Sequence, residues 1–355
     1  MKGLILSGGG GTRLRPLTHT GPKQLIPIAN KPILHYIIED FKKAGITDIG
    51  IVLGNNMPDK VKESLGDGSS FGVKITYINQ GVPLGLAHAV RVSRWFLTDD
   101  SFLMYLGDNL IKNGVISLKD AFCNNDVDAT IALTHTSQPE RFGVAEIKND
   151  RICKVVEKPK NFVSDLVVIG AYCFNNKIFD AIDEIKPSAR GELEITDTIH
   201  KMIERNNRVN YIHIKGWWKD TGKPQDILEV NSLILDELPF ISDHSKYKDV
   251  EITGRVSIGD NTKIHQGSII RGPCIIGNNC IIGPNTYISP YTSIGNSCII
   301  KESEIQSSII MDGVLIQSFP KIIDSIIGRN SKVVSTKTKP RGHKIVIGEN
   351  SQLEI

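Results

Sequence analysis

The sequence lacks a large excess of charge of either sign. Its 355 residues include 42 Lys and Arg against 39 Asp and Glu, which gives a net charge of +3. A chain so close to neutral has no strong general attraction to nucleic acid or to an anionic membrane. It also contains no apolar run long enough to cross a bilayer, and the apolar run at its amino terminus is too short for a signal peptide. We therefore expect a cytoplasmic protein with no nucleic-acid partner and no membrane partner.

Closely spaced cysteine pairs are absent as well. The chain has six cysteines and no C-x-x-C pair. This scatter favours reduced thiols in a cytoplasmic protein over a disulfide framework or a zinc site. The cysteines are Cys123, Cys153, Cys173, Cys274, Cys280 and Cys298.

The first two thirds of the chain alternate strand-like and helix-like segments. Residues 2–7 read as a buried strand, and residues 31–45 as an amphipathic helix that ends at a glycine. Repeated β-α-β-α order predicts an α/β fold with a mostly parallel sheet and helices on both of its faces. Ligands of such sheets bind outside the carboxyl ends of the strands, where we expect the glycine-rich turn, Gln80 and Asp108.

After about residue 250 the apolar pattern changes to a strict period of six. An isoleucine followed four residues later by a mostly small residue is typical of a left-handed parallel β-helix, in which three hexapeptides form one coil. We therefore expect an α/β domain over residues 1–238 and a β-helix domain over residues 250–355. The flat faces of the β-helix predict assembly into a homo-oligomer. The isoleucines of the period are Ile258, Ile264, Ile270, Ile276, Ile282, Ile288, Ile294 and Ile300.

The most informative stretch is a run of four glycines that directly follows the first strand. Glycine lets the backbone approach a ligand closely and point its N–H groups at it. Arg13 and Lys23 add two cations, so the stretch suits a polyphosphate. It matches neither a Walker-A loop, which needs Gly-Lys-Ser/Thr, nor a dinucleotide-binding Gly-x-Gly-x-x-Gly turn.

The stretch does resemble the signature of one family. G-G-x-G-T-R-L-x-P-L-T followed by P-K-Q-L-I-P-I-x-x-K-P is similar to sugar-1-phosphate nucleotidyltransferases, and Lys23-Gln24-Leu25 is most like the glucose-1-phosphate thymidylyltransferases. The segments QGVPLGLAHAV, YLGDN, PERFGVAEI, VEKPK, IGAYCF, RGELEITD and WWKDTG continue the resemblance in the family's order. Two features depart from the rhamnose-pathway members, which have Tyr-Asp where this chain has Ala29-Asn30 and normally lack a β-helix.

The resemblance implies a role for each matching residue. Asp108 and Asp220 are expected to bind Mg²⁺, a cation usually held by one or two carboxylates together with phosphates and water. The expected nucleotide-binding residues are Gly8, Gly9, Gly10, Gly11, Thr12, Arg13, Gln24, Gln80, Gly85 and Asp108. Those expected to bind the sugar phosphate are Lys23, Gly143, Glu157, Lys158 and Tyr172. The catalytic set implied by the family is Arg13, Lys23, Lys158, Asp108 and Asp220.

The reaction implied by the resemblance joins dTTP to α-D-glucose 1-phosphate and releases pyrophosphate. A phosphate oxygen of the sugar phosphate attacks the α-phosphorus in line, and no general base is needed because this oxygen is already anionic. Catalysis then depends on positioning and on neutralising charge. Arg13 is expected to hold the leaving phosphates, whereas Lys23 and Lys158 are expected to bring in the attacking one.

Three alternatives accompany this interpretation. Thymine and uracil differ by one methyl group, which gives only about 1–3 kcal/mol of discrimination, so a uridylyltransferase is the nearest. A bifunctional nucleotidyltransferase and acetyltransferase is the second, because β-helices often carry acetyl transfer; only His265 lies in the regular coils here. A non-catalytic scaffold is disfavoured because all five expected catalytic residues are present.

Overall fold

The structure, a computed structural model, describes residues 1–239, 247 and 249–335. The strands before residue 221 are β1 (Lys2–Ser7), β2 (Pro27–Ile28), β3 (Lys31–Pro32), β4 (Asp48–Leu53), β5 (Lys74–Asn79), β6 (Phe102–Leu106), β7 (Asn109–Ile111), β8 (Ala129–His135), β9 (Gly143–Lys148), β10 (Arg151–Glu157), β11 (Leu166–Phe174), β12 (Val209–His213) and β13 (Trp218–Asp220). The α-helices are α1 (Ile33–Lys43), α2 (Pro58–Leu65), α3 (Leu86–Val92), α4 (Arg94–Leu97), α5 (Ile116–Cys123), α6 (Ile178–Glu184), α7 (Ile195–Glu204) and α8 (Pro224–Leu235).

Short elements complete the secondary structure. The 3₁₀ helices are Thr12–Leu14, Leu17–His19, Lys23–Leu25, Ser69–Phe71 and Pro139–Arg141. The strands after residue 250 are β14 (Glu251–Thr253), β15 (Val256–Ile258), β16 (Lys263–Ile264), β17 (Ile269–Arg271), β18 (Cys274–Ile276), β19 (Ile281–Ile282), β20 (Tyr287–Ile288), β21 (Thr292–Ile294), β22 (Ile299–Lys301), β23 (Glu304–Gln306), β24 (Ile309–Ile310), β25 (Leu315–Gln317), β26 (Lys321–Ile323), β27 (Ile326–Ile327) and β28 (Lys332–Val334). Within the described ranges, none of the helices is both long and apolar enough to span a membrane.

The chain forms two compact units whose division does not follow the sequence linearly. The first unit consists of Met1–Gly10, Gly21–Leu25 and Ile33–Asp220. The second unit takes Gly11–Thr20, Ile26–Pro32 and the described residues from Thr221 onward. Two short segments of the amino-terminal motif therefore belong to the same unit as the β-helix. The domain limits at residues 238 and 250 stay a prediction, and residues 336–355 lie outside the described residues.

A mixed sheet forms the centre of the first unit, in the order β10-β9-β11-β6-β1-β4-β5, with β8 pairing with β11 and β12 pairing with β8. The strands that the β-α-β-α pattern predicted, β6, β1, β4 and β5, are parallel. Strands β9, β10 and β11 add an antiparallel half. Strands β9 and β10 are joined through Asn149 and Asp150, both with positive φ, which suits a tight hairpin turn.

Apolar side chains explain why this sheet is buried on both faces. Leu4 and Ile5 are neighbours in β1 and point to opposite faces, yet neither is exposed. One core of the unit joins Leu4 to Phe102 and Phe174 from the adjacent strands and to Ile199 from α7. The α/β fold expected from the sequence is confirmed.

The second unit contains the left-handed parallel β-helix that the period of six predicted. Among its described residues, the strands form three parallel sheets, in the orders β14-β17-β20-β23-β26, β15-β18-β21-β24-β27 and β16-β19-β22-β25-β28. Isoleucines stack in register inside, as Ile276 does with Ile294, one coil of eighteen residues later. After Ile300 the strict period ends because the coils shorten, so that Ile294 pairs with Ile310.

Candidate active site

The glycine-rich turn leaves β1 after Ser7 and lies against two other turns of the first unit. A Cβ atom on Gly8 would lie 2.7 Å from Oε1 of Gln80, and one on Gly54 would lie 2.4 Å from the carbonyl oxygen of Gly8. At Gly54 the obstacle is backbone, so this position has no room for a side chain, whereas at Gly8 the end of the Gln80 side chain would have to move. A Cβ on Gly9 would lie 3.0 Å from Cε of Lys23, and one on Gly10 would meet nothing within 4 Å. The turn therefore packs closely against Gly54, Gln80 and Lys23 and is open at Gly10.

Lys23 and Gln24 lie in the 3₁₀ helix Lys23–Leu25, next to the glycine turn. The ammonium group of Lys23 contacts the carboxylate of Asp108, and the two side chains are only 12% and 17% exposed. Gln24 is buried, and its Oε1 atom has no hydrogen-bond partner among the described residues. Because a buried amide oxygen without a partner is unfavourable, Gln24 offers an acceptor that a ligand donor would satisfy.

Of the two aspartates expected at the metal, Asp108 directly precedes β7 and Asp220 is the last residue of β13. Strands β7 and β13 pair antiparallel so that Asp220 faces Asn109, the residue directly after Asp108. The side chain of Asn109 donates to Oδ1 of Asp108 (3.0 Å) and accepts from Nε1 of Trp218 (2.7 Å). Asn109 thus orients Asp108 and connects its strand to the strand of Asp220.

This donor set fits Mg²⁺. Two carboxylates are hard oxygen donors, and Mg²⁺ commonly takes one or two of them and completes its shell with phosphate oxygens and water. The described residues contain no cluster of three or more His, Cys, Asp or Glu side chains suited to a metal ion. The expected binding of Mg²⁺ by Asp108 and Asp220 stays a prediction.

Gln80 and Gly85 lie together at the carboxyl end of β5. Nε2 of Gln80 donates to the carbonyl oxygen of Gly85 (3.1 Å), and the Gln80 side chain lies beside Gly8. Gly85 has a φ of 103°, and a Cβ there would lie 2.4 Å from the carbonyl oxygen of Leu193. The loop between them exposes Val82, which is 66% accessible. An amide and an apolar side chain at one loop suit the edge and face of a base.

A second cluster surrounds Glu157 at the end of β10. Its register partner in β9 is Gly143, where a Cβ would lie 2.5 Å from Cγ2 of Thr196. The Glu157 carboxylate accepts from Oγ1 of Thr196 (3.2 Å) and from Nη2 of Arg190 (3.3 Å). Nζ of Lys158 lies 3.5 Å from the same carboxylate, and its side chain is 45% exposed. The cluster presents hydrogen-bonding groups with two accessible cations, Lys158 and Arg190.

Burial sets the protonation behaviour of this cluster. Burial raises the pKa of the Glu157 carboxyl; Lys158 opposes this shift and Glu194 adds to it, and the net pKa lies above the ordinary value. Tyr172 is buried in β11, and its pKa is raised by burial and then by the charge of Glu157. Glu157 is therefore protonated at a higher pH than an exposed glutamate is.

Gly11, Thr12 and Arg13 belong to the second unit. Gly11 has a φ of 63° and precedes the 3₁₀ helix Thr12–Leu14. Oγ1 of Thr18 donates to the carbonyl oxygen of Gly11 (2.8 Å), which closes this segment on itself. Leu14 is buried, whereas Arg13 is exposed. The expected part of these three residues in phosphate binding stays a prediction.

Two protein-family models match this chain. Residues 2–237 match the family model described as Nucleotidyl transferase, and residues 255–290 match the one described as Bacterial transferase hexapeptide (six repeats). The chain belongs to the nucleotidyl transferase family. With its fold and its relatives, it is a sugar-1-phosphate nucleotidyltransferase that carries a hexapeptide β-helix.

Relatives resemble this nucleotidyltransferase over its whole length. It is 44% identical to the low-salt glycan biosynthesis nucleotidyltransferase Agl11 of Haloferax volcanii, with all of both chains covered. It is 43% identical to a glucose-1-phosphate thymidylyltransferase of Streptomyces antibioticus, over 100% of this chain and 99% of the relative. A crystal structure from Bacillus anthracis, solved with sucrose and named for the same activity, has a TM-score of 0.63 and 37% identity, and covers 68% of this chain and 98% of its own.

Three residues that contact the candidate site residues were not predicted from the sequence. Asn109 follows Asp108 directly, but nothing local indicates that its amide links two strands. Thr196 and Arg190 lie in the motif RGELEITD, more than thirty residues after Glu157. Arg190 also pairs with both oxygens of Glu194 at 2.9 Å. The motif RGELEITD could have indicated these contacts, because it matches the family and yet Arg190 and Thr196 were given no role.

Proposed function

We propose that the protein transfers the thymidylyl group of dTTP to α-D-glucose 1-phosphate, giving dTDP-glucose and pyrophosphate. The main support for the proposal is the contact between Lys23 and Asp108 beside the glycine-rich turn. A cation, a carboxylate and a bare backbone at one place suit a triphosphate and a divalent ion together. The relatives named for this activity support the choice of substrates.

The mechanism is an in-line exchange of one phosphate oxygen for another at the α-phosphorus. A phosphate oxygen of glucose 1-phosphate forms a bond to this phosphorus, and the bond to the oxygen bridging the α- and β-phosphates breaks. Lys158 and Lys23 bring the attacking anion to the nucleotide, and Arg13 holds the departing pyrophosphate. Asp108 and Asp220 would hold Mg²⁺, which when bound would supply positive charge near the reacting phosphates. Charge neutralisation and alignment together account for the acceleration.

Substrate choice follows from two groups of residues in the first unit, one around Glu157 and one around Gln80. Glu157 accepts hydrogen bonds from sugar hydroxyls, and the backbone of Gly143, its register partner, contributes a further sugar contact. Gln80 reads the polar edge of the pyrimidine, because an amide offers one donor and one acceptor. Gln24, whose buried amide oxygen is unsatisfied, contributes a further nucleotide contact. The preference for dTTP over UTP depends on one methyl group, so we expect it to be modest, about 1–3 kcal/mol at most.

The substrate panel that tests this proposal combines four sugar 1-phosphates with dTTP and with UTP. We expect pyrophosphate release to be fastest with glucose 1-phosphate and dTTP, and to require Mg²⁺. Faster release with UTP would assign the activity to uridylyl transfer. No release with any sugar phosphate would overturn the proposal.

The role of Lys158 is tested by Lys158→Ala. Loss of an exposed cation beside Glu157 removes the charge that attracts the sugar phosphate, and we expect turnover to fall about 10²- to 10³-fold. Binding of dTTP, measured by calorimetry, stays unchanged. Lys160→Ala is the matched control, because Lys160 is exposed two residues away. Equal activity of the two variants would remove Lys158 from the mechanism.

We further infer that the protein acts in the cytoplasm as a homo-oligomer. All six cysteines are free thiols in the structure, which suits a reducing compartment. The flat parallel sheets of the β-helix offer surfaces for packing between copies. Light scattering of the purified chain tests the assembly, and a monomer at micromolar concentration would contradict it.

A further inference from the structure

One buried asparagine connects three parts of the second unit. Asn231 lies in α8 and is fully buried. Its Oδ1 accepts the backbone N–H of Ala29 (2.9 Å) and the hydroxyl of Ser293 (2.6 Å). Its Nδ2 donates to the carbonyl oxygen of Tyr291 (3.1 Å). The side chain therefore bonds the hairpin β2–β3 and a coil of the β-helix at the same time.

The hairpin makes a second bond to the same coil. Strands β2 and β3 pair antiparallel around Ala29 and Asn30, whose φ values of 45° and 63° give a two-residue turn. Nδ2 of Asn30 donates to the carbonyl oxygen of Ile294 (2.6 Å). Both residues of the turn are thus bonded within the second unit, at the position where the sequence departs from the Tyr-Asp of the rhamnose-pathway members.

Burial makes this connection specific. An asparagine amide costs free energy when it is buried, and only complete hydrogen bonding offsets that cost. The three side-chain hydrogen bonds of Asn231 described above end on the hairpin or on the coil, and α8 itself packs against β2 and β21. A fully bonded buried network favours one arrangement of its parts over others. The hairpin is therefore held in one position on the coil.

The chain order connects this position to the phosphate-handling residues. The segment Gly21–Leu25, which contains Lys23 and Gln24, is flanked in the sequence by Gly11–Thr20 and Ile26–Pro32. Both flanking segments belong to the unit of the β-helix. The segment Gly11–Thr20 also lies close to the β-helix. Cδ2 of Leu17 would lie 3.8 Å from a Cβ atom placed on Gly328. The β-helix unit thus holds the chain on both sides of Lys23.

We propose that Asn231 is a positioning residue for nucleotidyl transfer, which fixes the hairpin on the β-helix and thereby the location of the Lys23-Gln24 turn. The inference rests on the proposed function for the role of Lys23. It gives the β-helix a part in the chemistry of each chain, in addition to assembly.

The test compares four single variants in the full-length protein. Asn231→Ala removes every bond of the side chain. Asn231→Asp keeps the oxygen that accepts from Ala29 and Ser293 but loses the bond to Tyr291. Asn30→Gly keeps the positive φ of the turn and removes its bond to Ile294. Asn278→Ala is the control, because its side-chain oxygen accepts from the backbone N–H of Asp260 within the same β-helix.

We expect Asn231→Ala to lower kcat about 10- to 100-fold, because small misplacements of catalytic groups have effects of that size. Asn231→Asp recovers much of kcat although its melting temperature stays low, since a buried carboxylate then faces a carbonyl group. Asn30→Gly loses severalfold in kcat. Asn278→Ala lowers the melting temperature and leaves kcat unchanged. A kcat that follows the melting temperature across the four variants would reduce Asn231 to a structural residue and overturn the inference.

A double-mutant cycle with Lys23→Ala separates positioning from general damage. If Asn231 acts through Lys23, adding Asn231→Ala to Lys23→Ala lowers the remaining kcat by less than about twofold. Independent, multiplicative losses would contradict the inference.

Hydrogen exchange measured by mass spectrometry reports how firmly the hairpin is held and does not require enzymatic activity. Asn231→Ala and Asn30→Gly should speed exchange across residues 21–32, and Asn278→Ala should not. Unchanged exchange in all variants would overturn the inference even if the wild-type enzyme is active. A wild-type enzyme that forms no nucleotide sugar would instead contradict the proposed function, and the exchange experiment would still decide whether Asn231 holds the hairpin.

Discussion

The β-helix and the site of the first unit depend on contacts over different ranges of sequence. In the β-helix, an inward isoleucine stacks on its equivalent one coil away, as Ile282 does on Ile300. In the first unit, Lys23 meets Asp108 across 85 residues, and Glu157 meets Thr196 across 39. The first pattern repeats one local rule, whereas the second brings together residues that occur once.

This contrast predicts whether a substitution should affect stability or activity. Each coil of the β-helix repeats the same packing, so one change there affects stability without removing a unique group. Each residue of the site has its own partner, so one change there removes a function that no other residue supplies. We therefore expect site variants to lose activity at nearly unchanged stability, and β-helix variants to do the opposite. Asn231 is the exception, because we propose that it affects both stability and activity.

The largest expected effect is that of Asp108→Asn. The amide keeps the shape of the side chain but removes the charge that pairs with Lys23 and suits Mg²⁺. We expect turnover to fall by about 10³-fold or more, with a melting temperature close to that of the wild type. Asp99→Asn, an exposed aspartate of the same unit, should keep full activity. Near-normal turnover of folded Asp108→Asn would contradict the metal role.

The next effect is on the stability of the β-helix. Ile282→Ala leaves a cavity where a fully buried side chain was and should cost about 2–5 kcal/mol of unfolding free energy. Ile281→Ala, its half-buried neighbour in β19, should cost clearly less. Denaturant unfolding measures both. Below the transition both variants should retain wild-type kcat, and a large loss of kcat in Ile282→Ala would break the contrast between the units.

A smaller effect is expected at the glycine turn. In Gly9→Ala the new Cβ would lie 3.0 Å from Cε of Lys23, so the lysine side chain has to move. We expect kcat to fall about tenfold, because a displaced cation no longer meets the developing charge. A methyl group on Gly21 meets nothing within 4 Å, so Gly21→Ala should match the wild type. Equal rates for the two variants would show that the turn does not position Lys23.

The smallest expected effect is a shift in pH dependence. Burial and Glu194 raise the pKa of Glu157, so its carboxylate becomes protonated, and a poorer acceptor for sugar hydroxyls, at a higher pH than an exposed glutamate would. As the pH falls through this raised pKa, kcat/KM for glucose 1-phosphate should fall severalfold. Glu157→Gln should lack this acidic limb and keep only the titration of the substrate phosphate. Identical pH profiles would exclude Glu157 from sugar binding.

The sequence predicted most of the repetitive β-helix and part of the non-repetitive first unit. The period of six predicted the β-helix, because each coil follows a local rule that one sequence displays. The β-α-β-α order predicted the parallel strands around β1. The antiparallel half was not predicted, since its signal is the short turn at Asn149 and Asp150 between two strands of ordinary composition.

The site was predictable where motifs are dense and unpredictable where partners are distant. Gly8 and Gln80 were assigned from motifs, and the structure brings them together. The bonds of Arg190 to Glu157 and of Asn231 to Ala29 were not predicted, because each joins residues far apart in sequence without any periodic pattern. Such contacts depend on the packing of whole elements, which a local pattern does not contain.

Attack of the sugar phosphate on the α-phosphorus of dTTP is tested most directly by following oxygen atoms through the reaction. Glucose 1-phosphate labelled with ¹⁸O in its three non-bridging phosphate oxygens is converted with unlabelled dTTP, and both products are analysed by mass spectrometry. Attack of the sugar phosphate on the α-phosphorus predicts that all three labels appear in dTDP-glucose and none in pyrophosphate. Label in the pyrophosphate, or a nucleotide sugar that lacks it, would contradict the account.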